Sequence, residues 1–347
     1  MKKRTSALLL AVLLFCASLI SACGNTPAAV SSSEGSAAAP SQEASAAPQA
    51  SNFPSELKYR SGATSGCFYP VSASMADFLP KDITGINNVT VIPGQGQSNV
   101  QAVQDGACDI AFAKLPGTIL GVQGDAPFTA PCDKVRNLMY FYTEAFHVVV
   151  RADSGINSVA DLKGKSLSTQ TVGNQAEQMT KEVLEAYGMT YDDLKKVSYV
   201  NSYDDSVQQM KDGVVDAFTF ANAPPVALLL DLASARDIKI LSIGDAELGK
   251  VLTMNKGYVR QVIPAGTYKD QSQEIVTFGG AVHVIANADM DEELAYQICK
   301  STLDHLDTIR EAHVVFKSLT PEEVGQQLSI PFHPGAERYF KEIGILK

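Results

Sequence analysis

Ser61-Gly62-Ala63-Thr64-Ser65-Gly66 is a polar, glycine-bearing stretch between an extended apolar segment and a helical one. Thr64 and Ser65 bring hydroxyls to a helix start, and Gly66 lets a bound molecule approach the backbone. Unpaired N–H groups and the helix dipole at such a point favour an anion. An ordinary capped strand-to-helix turn has the same appearance. Tyr69 either lays its ring along a bound molecule and donates its hydroxyl, or is a half-buried core tyrosine. Gln95, Gln97 and Ser98 can pair with polar ligand atoms or cap the following helix. Lys114, just after an apolar strand, either neutralises a carboxylate or is a solvated surface lysine. Gly173, Asn174 and Gln175 offer a second polar loop, and Asn222 follows another strand. This is the chemistry of noncovalent recognition.

Catalysis finds no anchor. His147, His283, His305, His313 and His333 are scattered, with no His-Glu-x-x-His and no Gly-x-Ser-x-Gly. The Gly94 to Asn99 stretch has only a superficial likeness to a dinucleotide loop, because Asn99 occupies the last small position. Cys67, Cys108, Cys132 and Cys299 match no zinc spacing. They read as free buried thiols, although outside the cytoplasm three pairings stay open. No cofactor and no metal is expected.

The elements that must position these residues alternate between strand and helix patterns from Phe53 to Lys347, the mark of an α/β protein. Leu57–Arg60, Val89–Ile92 and Ile110–Ala113 read as strands. Pro70–Leu79 reads as a helix with Val71, Met75, Phe78 and Leu79 on one face. A second helix, capped by Ser98, carries Val100 and Val103. The pattern then repeats. Val100-Gln101, Asp105-Gly106 and Asp109 recur as Val207-Gln208, Asp212-Gly213 and Asp216, all at one constant offset along the chain. The same offset carries Ser61 onto Ser168 and Gly66 onto Gly173. Two lobes of similar construction follow, with ligands expected beyond the carboxyl ends of their strands.

The N-terminal region has another job. Lys2, Lys3 and Arg4 precede an apolar run from Ala7 to Ile20, shorter than the ~20 residues of a spanning helix. Residues 1–22 read as a lipoprotein signal peptide, with Ile20-Ser21-Ala22-Cys23 as a lipobox and Cys23 as the lipidated residue. Ordinary signal cleavage ahead of a cysteine is the alternative. Of the 29 residues from Gly24 to Asn52, 19 are Ala, Ser or Pro, which cannot pack a core, so residues 23–52 read as a lipid-anchored flexible linker. The 347 residues carry 28 Lys and Arg against 38 Asp and Glu, a net −10 that argues against a nucleic-acid binder.

At these residues a family likeness appears. Ser61 to Pro70 is similar to the glycine-rich opening of TAXI-type solute-binding proteins of tripartite ATP-independent periplasmic (TRAP) transporters. So are Val91-Ile92-Pro93 with Ser98-Asn99-Val100, His147 to Ile156, and Asp161 to Lys165. Ile263 to Tyr268 and Ile330 to Ala336 complete the set, and the resemblance spans residues 58–342.

The resemblance implies a type II periplasmic-binding fold, with 53–148 plus 278–347 as one lobe and 149–277 as the other. It implies crossing strands at His147–Arg151 and Phe278–Ala286. It also implies a small organic acid as solute, glutamate-like or a dicarboxylate, and a TRAP-type permease driven by an ion gradient as partner. The chain departs from the family at Cys67, usually glycine or threonine, at Lys114, commonly glutamine, and at Gly173-Asn174-Gln175-Ala176, usually Gly-Ser-Gly-Thr. All three fall on loops expected to touch solute. The expectation is therefore a monomeric, lipid-anchored, extracytoplasmic solute receptor and not an enzyme. Its expected ligand contacts are Thr64, Ser65, Gly66, Cys67, Tyr69, Gln95, Gln97, Ser98, Lys114, Gly173, Asn174, Gln175 and Asn222. The alternatives are a sensory lipoprotein signalling to a membrane kinase and, with less support, a hydrolase on the same fold.

Overall fold

The computed structural model describes residues 53–62, 67–94 and 96–347. The signal segment, Cys23, the linker up to Asn52, Thr64, Ser65, Gly66 and Gln95 lie outside the described residues. The chain opens with β1 (Glu56–Arg60), α1 (Phe68–Asp82), β2 (Asn88–Ile92), α2 (Gly96–Gln104), β3 (Ile110–Lys114), α3 (Leu115–Gln123) and β4 (Val135–Thr143). It continues through β5 (Ala145–Arg151), β6 (Ser166–Gln170), α4 (Gln175–Ala186), β7 (Lys196–Val200), α5 (Tyr203–Lys211), β8 (Ala217–Asn222), α6 (Ala227–Ala235) and β9 (Ile238–Ile240). Then come α7 (Asp245–Met254), β10 (Tyr258–Ile263), β11 (Ile275–Asn287), α8 (Glu292–Asp304), α9 (Leu306–Ala312), α10 (Pro321–Val324) and α11 (Pro334–Glu342).

Two sheets result. The first runs β2-β1-β3-β11-β10, with β4 also on β11; the second runs β7-β6-β8-β5-β9. In each, three parallel strands in the order second-first-third meet an antiparallel strand that has come from or leads to the other lobe. That order is the type II periplasmic-binding topology expected from the sequence. β3 lies between β1 and β11, and its Ile110 to Ala113 are buried on both faces, as a central strand requires. One apolar core fills the first lobe, and two smaller ones lie on either side of the second sheet.

The repeated Asp has a structural role. Asp109 accepts from the Lys58 amide at 2.7 Å and returns its own N–H to the Lys58 carbonyl at 3.0 Å. Asp216 does the same to Ser166, at 3.0 Å in both directions. Each aspartate ties the start of a third strand to the first. Gly106 and Gly213, which end the preceding helices, both sit at positive φ, where glycine avoids a side-chain clash. The offset between the halves is not uniform. Tyr59 pairs with Ile110 as Leu167 pairs with Ala217, so the first strands are displaced by one position more than the third strands. Ser61 therefore corresponds to Thr169, not to Ser168.

The helix at 70–79 extends further, from Phe68 to Asp82, and passes through Pro80. The second helix starts at Gly96, so Ser98 lies in its first turn and is not its cap. Asn99 anchors this helix instead. Its Nδ2 donates to the carbonyls of Ser61 and Phe112, both at 2.8 Å, and its Oδ1 accepts from Arg60 Nε at 3.0 Å.

The chain passes between sheets at two adjoining places. β4 ends at Thr143 and β5 begins at Ala145, so Glu144 alone links them, its N–H donating to the Gly280 carbonyl at 3.1 Å. The return is β11, which spans both regions without a break. A Cβ on Gly279 would lie 1.5 Å from the Glu144 carbonyl oxygen, so only glycine permits this approach.

Both passing strands carry a buried histidine. His147 lies between the Ala145 carbonyl and the Tyr268 hydroxyl, at 2.8 and 3.0 Å. His283 lies between Asn137 Oδ1 and Thr118 Oγ1, at 3.0 and 2.9 Å. Burial lowers their pKa values from 6.5, to about 4 for His147 and about 3 for His283. Below pH 6.5 the unfolded chain therefore holds protons that the folded chain refuses. Stability is complete above that pH and is lost as pH falls toward those folded values, by up to about 1.4 kcal/mol per pH unit and histidine. Melting temperatures measured from pH 7 to 4.5 should drop, and His283→Gln should flatten the drop; an unchanged slope would refute this assignment.

Candidate functional site

A cleft of about 420 Å³ opens where the loops of the two lobes meet. Gly96, Gln97, Ser98, Gln101 and Lys114 wall it on one side, and Gly173, Asn174 and Gln175 on the other. Pro127 and Phe128 also line it. The size suits a small organic molecule. Gln97, Ser98, Lys114, Gly173, Asn174 and Gln175, singled out from sequence, thus share one cavity. Each has a positional cause. Gln97 and Ser98 ride on the helix end that Asn99 pins to β1 and β3. Lys114 is the last residue of β3, and Asn174 caps α4, its Oδ1 accepting from the Ala176 amide at 2.9 Å.

Three other expected contacts fall outside the cavity wall. Cys67 precedes α1 with its Sγ 3.1 Å from the Tyr142 hydroxyl. Burial pushes that thiol's pKa up, which keeps it a thiol and not a nucleophile. Tyr69 is half-buried on α1, and Asn222 ends β8 with its Oδ1 accepting from the Ala223 amide at 2.8 Å. Cys108, Cys132 and Cys299 are free and buried, and Cys67 is free and half-buried. His333 caps α11 through its Nδ1. Among the described residues no cluster of His, Cys, Asp or Glu could hold a metal ion.

Lys114 is the one charged residue among those named on the wall, and it is paired. Its Nζ lies 2.8 Å from Glu144 Oε2, with the side chains 16% and 6% exposed. Burial alone would lower the Lys114 pKa; the Glu144 carboxylate more than offsets this and holds it above the ordinary lysine range. The ammonium has three N–H donors, so one bond to Glu144 leaves capacity for a second acceptor. Tyr203, half-buried at the start of α5, lies close enough to feel both charges, and its hydroxyl donates to the Ala221 carbonyl at 3.2 Å. Sequence reasoning missed Glu144, Tyr203, Gln101 and Phe128. Only Gln101 carried a signal, its recurrence as Gln208 in the repeat.

Residues 60–344 match the NMT1-like family. Over 77 residues, 22% of this chain, the sequence is 36% identical to the arginine-binding extracellular protein ArtP of Bacillus subtilis strain 168. That stretch spans 28% of ArtP, well under two thirds of its length. Among solved structures, XAC2383 from Xanthomonas citri bound to ATP aligns over 84% of this chain and 96% of its own, with 14% identity and a TM-score of 0.51. The periplasmic aliphatic sulphonate binding protein SsuA from Escherichia coli aligns over 77% and 75%, with 17% identity and a TM-score of 0.46. The likeness to XAC2383 speaks to the fold alone. Among the described residues no helix is long and apolar enough to cross a membrane.

Removing Lys114 alone would leave Glu144 buried without a counter-charge, which typically costs about 3–5 kcal/mol. Lys114→Met should lower the chemical-denaturation stability by that order, and adding Glu144→Gln should recover most of it. A double variant no more stable than the single one would show that the pair is not the unit described.

Proposed function

This chain belongs to the NMT1-like family, and on that premise we propose that it is an extracytoplasmic solute receptor for a small carboxylate-bearing compound, glutamate-like or a dicarboxylate. It hands this solute to a membrane permease of the TRAP type. Cys23, carrying lipid, and the Ala/Ser/Pro-rich stretch after it would hold the folded body as a monomer on the outer face of the membrane.

The supporting observation is a cavity walled by polar groups from both lobes, with Lys114 the one charge among its named wall residues. A solute there touches Gln97 and Ser98 on one side and Asn174 and Gln175 on the other. Only a closed arrangement gives it both sets of contacts, so binding shifts the lobes toward closure by the difference in affinity between the two states. A carboxylate completes the coordination that Glu144 begins at Lys114. Arginine, for which ArtP is named, also carries a carboxylate, so that group is the chemistry common to both readings. The TAXI-like motifs support the permease assignment. Thr64, Ser65, Gly66, Cys67, Tyr69, Gln95 and Asn222 remain proposed contacts of the closed state.

Calorimetry with L-glutamate, succinate and L-arginine tests the ligand class. An acid should bind, and the Lys114→Met/Glu144→Gln double variant should weaken it at least tenfold. Unchanged affinity would remove Lys114 from the site. Small-angle scattering with and without a tight ligand should show compaction; identical profiles would contradict closure.

A further inference from the structure

Among the described residues, one atom on the cleft wall is buried without a partner. Gln175 opens α4 and is 6% exposed. Its Nε2 donates to the Tyr258 hydroxyl at 3.2 Å. That hydroxyl donates its single proton to Glu182 Oε2. The other Glu182 oxygen accepts from Gln178 Nε2 at 2.9 Å. With its proton committed to the carboxylate, the tyrosine oxygen can only accept, so the amide nitrogen of Gln175 must face it. The relay from Glu182 through Tyr258 thereby fixes which way the amide points, a choice its shape alone would leave open.

Oε1 then points away from Tyr258, toward the first lobe. A Cβ built on Gly117 would lie 3.1 Å from Oε1 and 3.3 Å from Gln97 Cγ, so the oxygen sits where the two walls meet. Among the described residues no hydrogen-bond donor reaches it. A buried amide oxygen left unpaired is unfavourable, and any group that supplies a donor there stabilises the closed walls.

We propose that Gln175 Oε1 selects for a second polar group on the solute, an ammonium or hydroxyl that donates to it while Lys114 receives the carboxylate. This rests on the carboxylate reading above. The favoured class is then substituted acids bearing an N–H or O–H donor, over unsubstituted dicarboxylates of the same length. Gln97 is a flexible side chain and gives way to admit the donor. Glu182 and Tyr258 are positioning residues, because they act through the amide and do not touch the solute.

Calorimetry of the full chain with three five-carbon probes tests this: glutarate, L-glutamate and 2-hydroxyglutarate. In the unaltered protein at least one donor-bearing probe should bind tenfold or more tightly than glutarate, and the preferred one tells ammonium from hydroxyl. Gln175→Leu should erase that ratio, bringing the donor-bearing probes to the affinity glutarate shows in the same variant. Tyr258→Phe frees the amide to turn and should shrink the ratio too, a change in preference that a merely structural role would not produce. It also serves if Gln175→Leu fails to fold, as judged by its melting. Glutarate binding as tightly as both substituted acids, or a ratio that persists in the variants, overturns the proposal. Failure of all three probes to bind would instead sink the carboxylate reading, and this inference with it.

Discussion

A half-buried lysine and a buried glutamate 2.8 Å apart set the terms for the rest of this molecule. Lys114 ends the central strand of one sheet, and Glu144 is the single residue through which the chain leaves that sheet for the other. Two charges removed from water are tolerable only together. The pair therefore ties the cleft wall to the point where the chain passes from one lobe to the other. It also decides the electrostatics of the cavity: the positive charge is real, but partly answered from behind. The cavity therefore presents a polarised donor and not a bare cation.

Around that point the packing is arranged to let two backbones nearly touch. Gly279 faces the Glu144 carbonyl with no room for a side chain, and Gly280 accepts the Glu144 amide. Several polar groups are buried nearby and paired with one another: His147 with Tyr268, His283 with Asn137 and Thr118, Tyr258 with Glu182. Such networks specify one geometry because each member left unpaired would be penalised. The unpartnered Gln175 oxygen stands out against this background.

Much of this architecture was legible in the sequence, and the reason is locality. Asp109 and Asp216 brace neighbouring strands from fixed positions after a helix stop, so their chemistry repeats wherever the unit repeats. Alternation in β1, with Leu57 and Tyr59 inward, and the apolar run of β3 are likewise local signals. The loops around Gln97, Lys114 and Asn174 could be placed because strand ends in such folds converge. What was hidden depends on distant pairing. A helix and a strand, α3 and β4, separate Glu144 from Lys114 in sequence, and no spacing rule joins the two. Asn99 looks like a polar interruption in a helix until its three partners are seen. The slip of one position between the two halves shows only in how the strands pair. Gln175 was visible as an amide, but which of its two ends faces the first lobe follows only from Tyr258 and Glu182.

The second lobe departs from the first through Glu144 and rejoins it at Gly279 and Gly280, two points in direct hydrogen-bonded contact. In topological terms it is a closed bight inserted into its neighbour, with its two stems side by side. A segment with adjacent ends can be lifted out or exchanged for another of the same kind without stretching the host. Half of the cleft wall thus belongs to the inserted segment, while the half that carries Lys114 belongs to the host.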